Sequence, residues 1–267
     1  MAASAHPPIV FVHGLWLHST SWQNWIELFN DAGYPTLAAS WPGDAPTVAE
    51  ARLYPELVAN KGLDEIVNYH AAQIRELGTK PIIIGHSFGG FIVEKLAGLG
   101  LAAATVAIDP APMKGVYILP LSALRVASIG LRNPANKSGS VSLDEAEFYY
   151  GFGNALTHQE SKLLFDAWTI PSPGKPLFEA AAANFTHHSP AHANTKNPDR
   201  GPLLIIGGGH DHTAPASISR SSYRLERQSA AVTDLKVFDD RGHSLAIDHG
   251  WREVADYVAS WLEQQAV

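Results

Sequence analysis

The segment Gly85-His86-Ser87-Phe88-Gly89 sets a serine between two glycines, directly after the apolar run Pro81-Ile82-Ile83-Ile84 and before an amphipathic stretch. A strand that turns sharply into a helix there lifts the serine side chain clear of the sheet, and the helix start aims backbone N–H groups at a developing oxyanion. A serine hydroxyl attacks a carbonyl only when a positioned base takes its proton. His243, in Gly242-His243-Ser244, lies between the last strand-like run and the last amphipathic stretch, and is the candidate base. Such a base needs a carboxylate to hold its tautomer and stabilise its charged form. Asp211, 32 residues before His243, follows Leu203-Leu204-Ile205-Ile206-Gly207-Gly208-Gly209-His210 and is the candidate acid. Asp109 is a rival, since it too ends an apolar run, Thr105-Val106-Ala107-Ile108, but Pro110 behind it favours a turn role.

Residues this far apart meet only if strands carry them to one edge of a sheet. Strand-like runs are Ile9–Val12, Thr36–Ala39, Ile82–Gly85, Thr105–Ile108, Leu203–Gly207 and Leu235–Phe238. Several are apolar on both faces, as strands covered by helices on each side should be. Between them, Leu63, Ile66, Val67, Ala71, Ile74 and Leu77 share a helical face, as do Phe88, Phe91, Ile92, Leu96 and Leu99. The second face ends at Gly98 and Gly100, which suit a helix stop. Trp251, Val254, Ala255, Val258 and Leu262 form a last amphipathic helix, and His70 sits on an apolar face as a core residue. The expected class is α/β, a mostly parallel central sheet with helices on both faces.

The alternation breaks between Pro110 and Arg200, a stretch without a convincing strand that holds half of the 18 prolines. An ordinary crossover needs only about a dozen residues. Residues 1–109 and 201–267 therefore form one core, with a helical cap, 110–200, inserted into it. Its helical pieces are Leu119–Ile129, Leu143–Tyr150, His158–Asp166 and Leu177–Asn184.

Composition removes other chemistries. The 267 residues contain no cysteine, which excludes thiolate zinc sites, iron–sulfur clusters and cysteine nucleophiles. With 19 Lys+Arg against 26 Asp+Glu the chain lacks the basic balance of a nucleic-acid platform. No apolar run is long enough to span a membrane. Met1–Pro8 lack the cationic and apolar regions of a secretion signal, so a cytoplasmic protein is expected and the sequons at Asn136 and Asn184 are uninformative. Histidines in His210-Asp211-His212 and at His187, His188 and His192 suggest zinc at first sight. Pro190 breaks any helix aligning His188 with His192, and no third ligand follows at a typical spacing, so no metal is expected.

The order Ser87, Asp211, His243 and the strand–turn–helix setting of Gly85-His86-Ser87-Phe88-Gly89 resemble the α/β-hydrolase superfamily, closest to its capped bacterial serine esterases. The resemblance covers residues 9–108 and 202–262. His13-Gly14-Leu15-Trp16 is similar to the family's oxyanion loop, which implies that the backbone N–H groups of Leu15 and Phe88 hold the oxyanion. Trp41-Pro42-Gly43-Asp44 is similar to the loop after the family's next core strand. The histidines flanking Asp211 depart from the pattern and leave its local hydrogen bonding open.

The resemblance implies a cofactor-free serine hydrolase acting through an acyl-enzyme on a carboxylic ester or related acyl compound. Lactone, thioester and C–C bond cleavage use the same triad, as would a biosynthetic acyltransferase or cyclase. A ligand receptor on the same fold is the alternative from another class. The expected partner is a small or medium apolar acyl compound, without nucleic acid or membrane. Candidate pocket walls are Trp16 and Leu17 from below and Met113, Leu119, Leu121, Phe148, Tyr149, Phe152, Leu163, Phe165 and Trp168 from the cap. The aromatic group around Phe148 and Phe152 fits pocket lining and cap core equally well. A roofed pocket predicts best turnover at a short or middle acyl length, without interfacial activation.

Overall fold

The computed structural model describes residues 6–267, so Met1–Ala5, part of the stretch read for a secretion signal, lies outside the described residues. Six strands form one parallel sheet: β1 (Ile9–Val12), β2 (Thr36–Ala39), β3 (Ile82–His86), β4 (Ala104–Ile108), β7 (Leu203–Gly208) and β8 (Thr233–Phe238). A separate antiparallel pair joins β5 (Ser140–Val141) to β6 (Ser172–Pro173). The large sheet runs β2-β1-β3-β4-β7-β8. The chain moves outward from β1 to β2 and then restarts on the other side of β1 with β3, so the order reverses between β1 and β3. Open parallel sheets form their ligand crevice at the carboxyl ends of the strands flanking such a switch. Here those ends carry His13-Gly14-Leu15 and Ser87.

The helices are α1 (Gln23–Asp31), α2 (Val48–Leu53), α3 (Leu63–Glu76), α4 (Phe88–Gly98), α5 (Leu121–Leu131), α6 (Glu145–Gly151), α7 (His158–Trp168), α8 (Lys175–Ala181), α9 (Ala216–Glu226) and α10 (Trp251–Gln264). Helix α3 buries Leu63, Ile66, Val67, His70, Ala71 and Ile74, the face its spacing predicts, except that Leu77 lies past its end and is exposed. Helix α4 is buried almost all round. Its glycines at 89, 90 and 98 cost about 1 kcal/mol each at most in helix propensity. Burial of Phe91, Ile92, Val93 and Leu96 contributes roughly 1.5–3 kcal/mol apiece, so packing decides the outcome.

Three helices escape the sequence pattern. In α1 only Trp25 and Phe29 are buried, and α2 buries only Ala51. Helix α9 buries Ser219, Ser222 and Glu226 beside Ile218, so it carries no continuous apolar stripe. The edge strand β8 begins at Thr233, two residues before the apolar run suggests, because its first residues are only half-buried. The stretch read as free of strands contains β5 and β6, each too short for alternation to reveal. Between β4 and β7 the chain carries α5 to α8, and Val126, Phe148, Phe152, Leu164 and Leu177 there join the same hydrophobic core as the sheet. Among the described residues, no helix is long and apolar enough to cross a membrane.

Candidate active site

Ser87 stands between β3 and α4 with φ 58° and ψ −122°, a backbone that non-glycine residues rarely adopt. Its N–H donates to the Ile108 carbonyl at 2.9 Å. The turn closes because its neighbours lack side chains: a Cβ on Gly85 would collide with the Gly89 carbonyl, and one on Gly89 with the Val12 carbonyl.

His243 lies in the loop after β8, fully buried. Its Nε2 is 3.0 Å from Ser87 Oγ and its Nδ1 is 2.6 Å from Asp211 Oδ2. Asp211 follows β7, and its Oδ1 accepts from the N–H groups of Thr213 at 2.6 Å and Ala214 at 2.9 Å. These bonds settle the local surroundings that the flanking histidines left open. His210 is exposed, and the His212 ring lies 2.9 Å from the Tyr150 carbonyl. The rival acid, Asp109, brings Oδ2 only to 3.9 Å from Nδ1, beyond hydrogen-bond distance.

Two further residues hold this imidazole: His86, to which the motifs assign no role, and Phe152, expected as a pocket wall. The Nε2 of His86 donates to the His243 carbonyl at 2.8 Å. Burial and the neighbouring His243 push the His86 ring well below the ordinary histidine range, so it is neutral. Phe152 sets its ring edge-on to His243 with centroids 4.7 Å apart. Ligating atoms of His86, Asp109 and His243 fall within 4.8 Å of one another, but both ring nitrogens of His243 face Ser87 and Asp211. His187 and His188 are exposed and contact each other.

The loop after β1 closes on the serine, since a Cβ on Gly14 would sit 2.6 Å from Ser87 Cβ. Neither the Leu15 nor the Phe88 N–H has a hydrogen-bond partner among the described residues. Trp16, with φ 65°, is tied to the segment between β4 and β7: its N–H donates to Ser172 Oγ at 2.5 Å and its indole to the Val141 carbonyl at 3.1 Å. From the other side His13 Nε2 lies 2.9 Å from Asp44 Oδ2, and Asp44 also accepts from the Trp41 N–H at 2.7 Å. The loop resembling the family's second core loop is thus a brace for the first.

A cleft of about 270 Å³ reaches Ser87 and Phe88. Trp16, Met113 and Leu119 line it as expected, with Val116, Ala123, Ala127, Leu177 and Ile218, which the sequence did not single out. The other expected walls lie elsewhere. Phe148 and Phe152 stack on each other in the core, and Leu17 is buried where its backbone pairs with Thr169. Tyr149 stacks on His158, and Trp168 packs against the core. Phe165 packs against Phe148, while Leu121 and Leu163 face solvent. Amphipathic spacing identifies the buried face of a helix, not which part of that face borders a void.

Residues 9–257 match the model of the alpha/beta hydrolase family. The chain belongs to the alpha/beta hydrolase family. A monoacylglycerol lipase of Paleococcus ferrophilus superposes with TM-score 0.68 at 23% identity, covering 98% of each chain. A thermophilic esterase of Thermogutta terrifontis gives 0.67 at 17%, covering 99% of this chain and 92% of its own. A methylesterase from Arabidopsis gives 0.65 at 14%, covering 96% and 99%. At these identities the likeness is one of fold. No curated protein matches the sequence. As an alpha/beta hydrolase, the chain has its strand-to-helix serine and the loop after β1 at the switch of its sheet.

Outside the site, burial pushes His70 down to about 4, in keeping with its place on the apolar face of α3. A second buried group joins Arg200 to Glu226 at 3.3 Å beneath β7 and β8, with Glu94 accepting from Ser222 beside it. Burial raises Glu226 to about 7, against the pull of Arg200.

Proposed function

We propose that the protein is a serine hydrolase that cleaves a carboxylic ester, or a related acyl compound, of small to medium size and apolar character. The observation that carries this reading is the unbroken line from Ser87 Oγ through both ring nitrogens of His243 to Asp211, at the floor of an apolar cleft. In the proposed reaction Ser87 Oγ attacks the carbonyl carbon while His243 Nε2 takes its proton. Asp211 stabilises the imidazolium, and the N–H groups of Leu15 and Phe88 hold the oxyanion. His243 then protonates the leaving oxygen as the acyl-enzyme forms, and afterwards activates the water that releases the acid. The segment 110–200 acts as a cap that walls the cleft and excludes water from the reaction. The cleft volume falls just under the roughly 300–1,000 Å³ of drug-sized ligand sites. The lipase, esterase and methylesterase among the similar structures support ester chemistry.

The test is a screen of p-nitrophenyl esters, lactones and thioesters, with labelling by a fluorophosphonate and Ser87→Ala as the control. Turnover and labelling lost together in Ser87→Ala support the reading. Turnover that survives in Ser87→Ala rejects it, and labelling without turnover on any of the substrates favours a receptor.

A further inference from the structure

Asp109 stands directly behind the proposed triad and takes no part in it. It follows β4 with φ 44°, a left-handed backbone that aspartate and asparagine tolerate better than most residues. The side chain is fully buried. Oδ1 accepts the Gly208 N–H at 2.6 Å, whereas Oδ2, 3.9 Å from His243 Nδ1, receives no donor among the described residues.

The neighbours explain why no donor arrives. His243 directs its Nδ1 proton to Asp211, and His86 spends its N–H on the His243 carbonyl. The remaining neighbours are carboxyls, Asp248 and Asp211, and of the two Asp211 stands within side-chain hydrogen-bonding reach of Asp109. Two buried carboxylates beside one imidazole do not both ionise, because each disfavours the charge of the other. The hydrogen bonds then decide which of them carries the proton. Asp211 accepts from three N–H groups through its two oxygens, and Asp109 accepts from one, leaving Oδ2 free.

We propose that Asp109 is a neutral carboxylic acid, a positioning residue whose Oδ2 proton is donated to Asp211 and leaves Asp211 as the single negative charge behind His243. This rests on the triad reading given above. Burial, followed by the charge of Asp211, pushes the Asp109 carboxyl well above the ordinary carboxylate range, while the Gly208 N–H pulls the other way. The groups around it are His86 from β3, the Gly208 N–H from β7, Asp211 from the next loop, and His243 and Asp248 from the loop after β8. Asp248 adds to the upward push and lies 3.5 Å from Arg241.

The experiment compares Asp109→Gly with Asp109→Asn. Glycine fits the left-handed backbone but supplies no donor to Asp211, and it should slow fluorophosphonate labelling by about 10- to 100-fold. Asparagine is a neutral donor of the same shape and should restore the rate to within about threefold of wild type. The acidic limb of its pH profile should stay at the wild-type position. If Asp109 is ionised instead, asparagine removes a negative charge beside the imidazole, and that limb moves to lower pH by about one to three units, which overturns the proposal.

Infrared spectra of protein labelled with [4-13C]aspartate give a measure independent of activity and separate aspartates from the buried Glu94 and Glu226. A protonated-carboxyl band at neutral pH that disappears in Asp109→Asn, or in Asp109→Gly if the first does not fold, and persists in Asp248→Asn supports the proposal. Its absence from the wild type rejects it. Should the wild type take no fluorophosphonate label, the serine-hydrolase reading fails, and the infrared band alone decides the state of Asp109.

Discussion

The Ser87 hydroxyl and His243 Nε2 lie 3.0 Å apart although 156 residues of chain separate them. Their strands are not neighbours either, since β4 and β7 lie between β3 and β8. At about 4.8 Å per strand the loop after β8 must reach back roughly 14 Å across the sheet edge. Among the bonds that hold it there, His86 donates to the His243 carbonyl and the Trp25 indole to the Ala246 carbonyl at 2.8 Å.

Ser87→Ala and His243→Ala should each lower kcat by on the order of 10⁴-fold or more while thermal unfolding stays cooperative. Asp211→Asn should lose about 10³- to 10⁴-fold, because an amide at that position favours the wrong imidazole tautomer. Steady-state kinetics on the best ester found in a screen checks all three. A folded His243→Ala variant with near-wild-type turnover would remove the base assignment.

Asp44→Ala should reduce kcat by about tenfold or more with little change in KM. Its carboxylate ties down His13 and the Trp41 N–H, and through them the loop that carries the Leu15 N–H. Loss of a preorganised oxyanion donor costs on the order of 10²–10³-fold, so a loosened loop should cost part of that. A rise in KM at constant kcat would instead place Asp44 in substrate binding.

Across p-nitrophenyl esters from acetate to palmitate, kcat/KM should peak at a short or middle acyl length, with no jump when the substrate forms an emulsion. Each methylene in an apolar cleft contributes only about 1–3 kcal/mol, so the decline on either side should be graded. Ala123→Phe, which places a ring on the cleft wall formed by α5, should move the optimum to shorter chains. A wild-type maximum at palmitate, or a rate jump when the emulsion forms, would make residues 110–200 a lipase-type lid, and an unmoved optimum in Ala123→Phe would show that Ala123 does not border the acyl site.

His70 should make the fold sensitive to mild acid. Its ring is held near 4 in the folded protein against 6.5 in an open chain, so the unfolded state binds the proton first. Stability is then undiminished above pH 6.5 and declines as pH falls from 6.5 towards 4, by about 3 kcal/mol in total. Denaturant unfolding across that range checks it, and His70→Leu should flatten the curve. An equal slope in the variant would assign the acid sensitivity to other groups.

Much of the fold was legible because its signals are local. Central strands buried on both faces are continuous apolar runs, α3 and α10 repeat their apolar residues every three or four positions, and a serine between two glycines marks a turn at its own place in the chain. What stayed hidden depended on directions in space. The polar helix α9 stays against the sheet through buried serines and the Arg200–Glu226 pair, which no hydrophobic period announces. Asp109 and Asp211 both follow strands, and only the placement of three loops sets Asp211 at 2.6 Å and Asp109 at 3.9 Å from the same nitrogen. Phe148 on α6 turns into the core while Ala123 and Ala127 on α5 border the cleft, because the rotation of a helix about its axis is set by what packs on both sides of it. Residue type and spacing thus determined the fold class and the elements that carry the candidate site. Partner, distance and cavity were decided by contacts between segments far apart in the chain, whose energies depend on the folded arrangement and leave no local pattern to read.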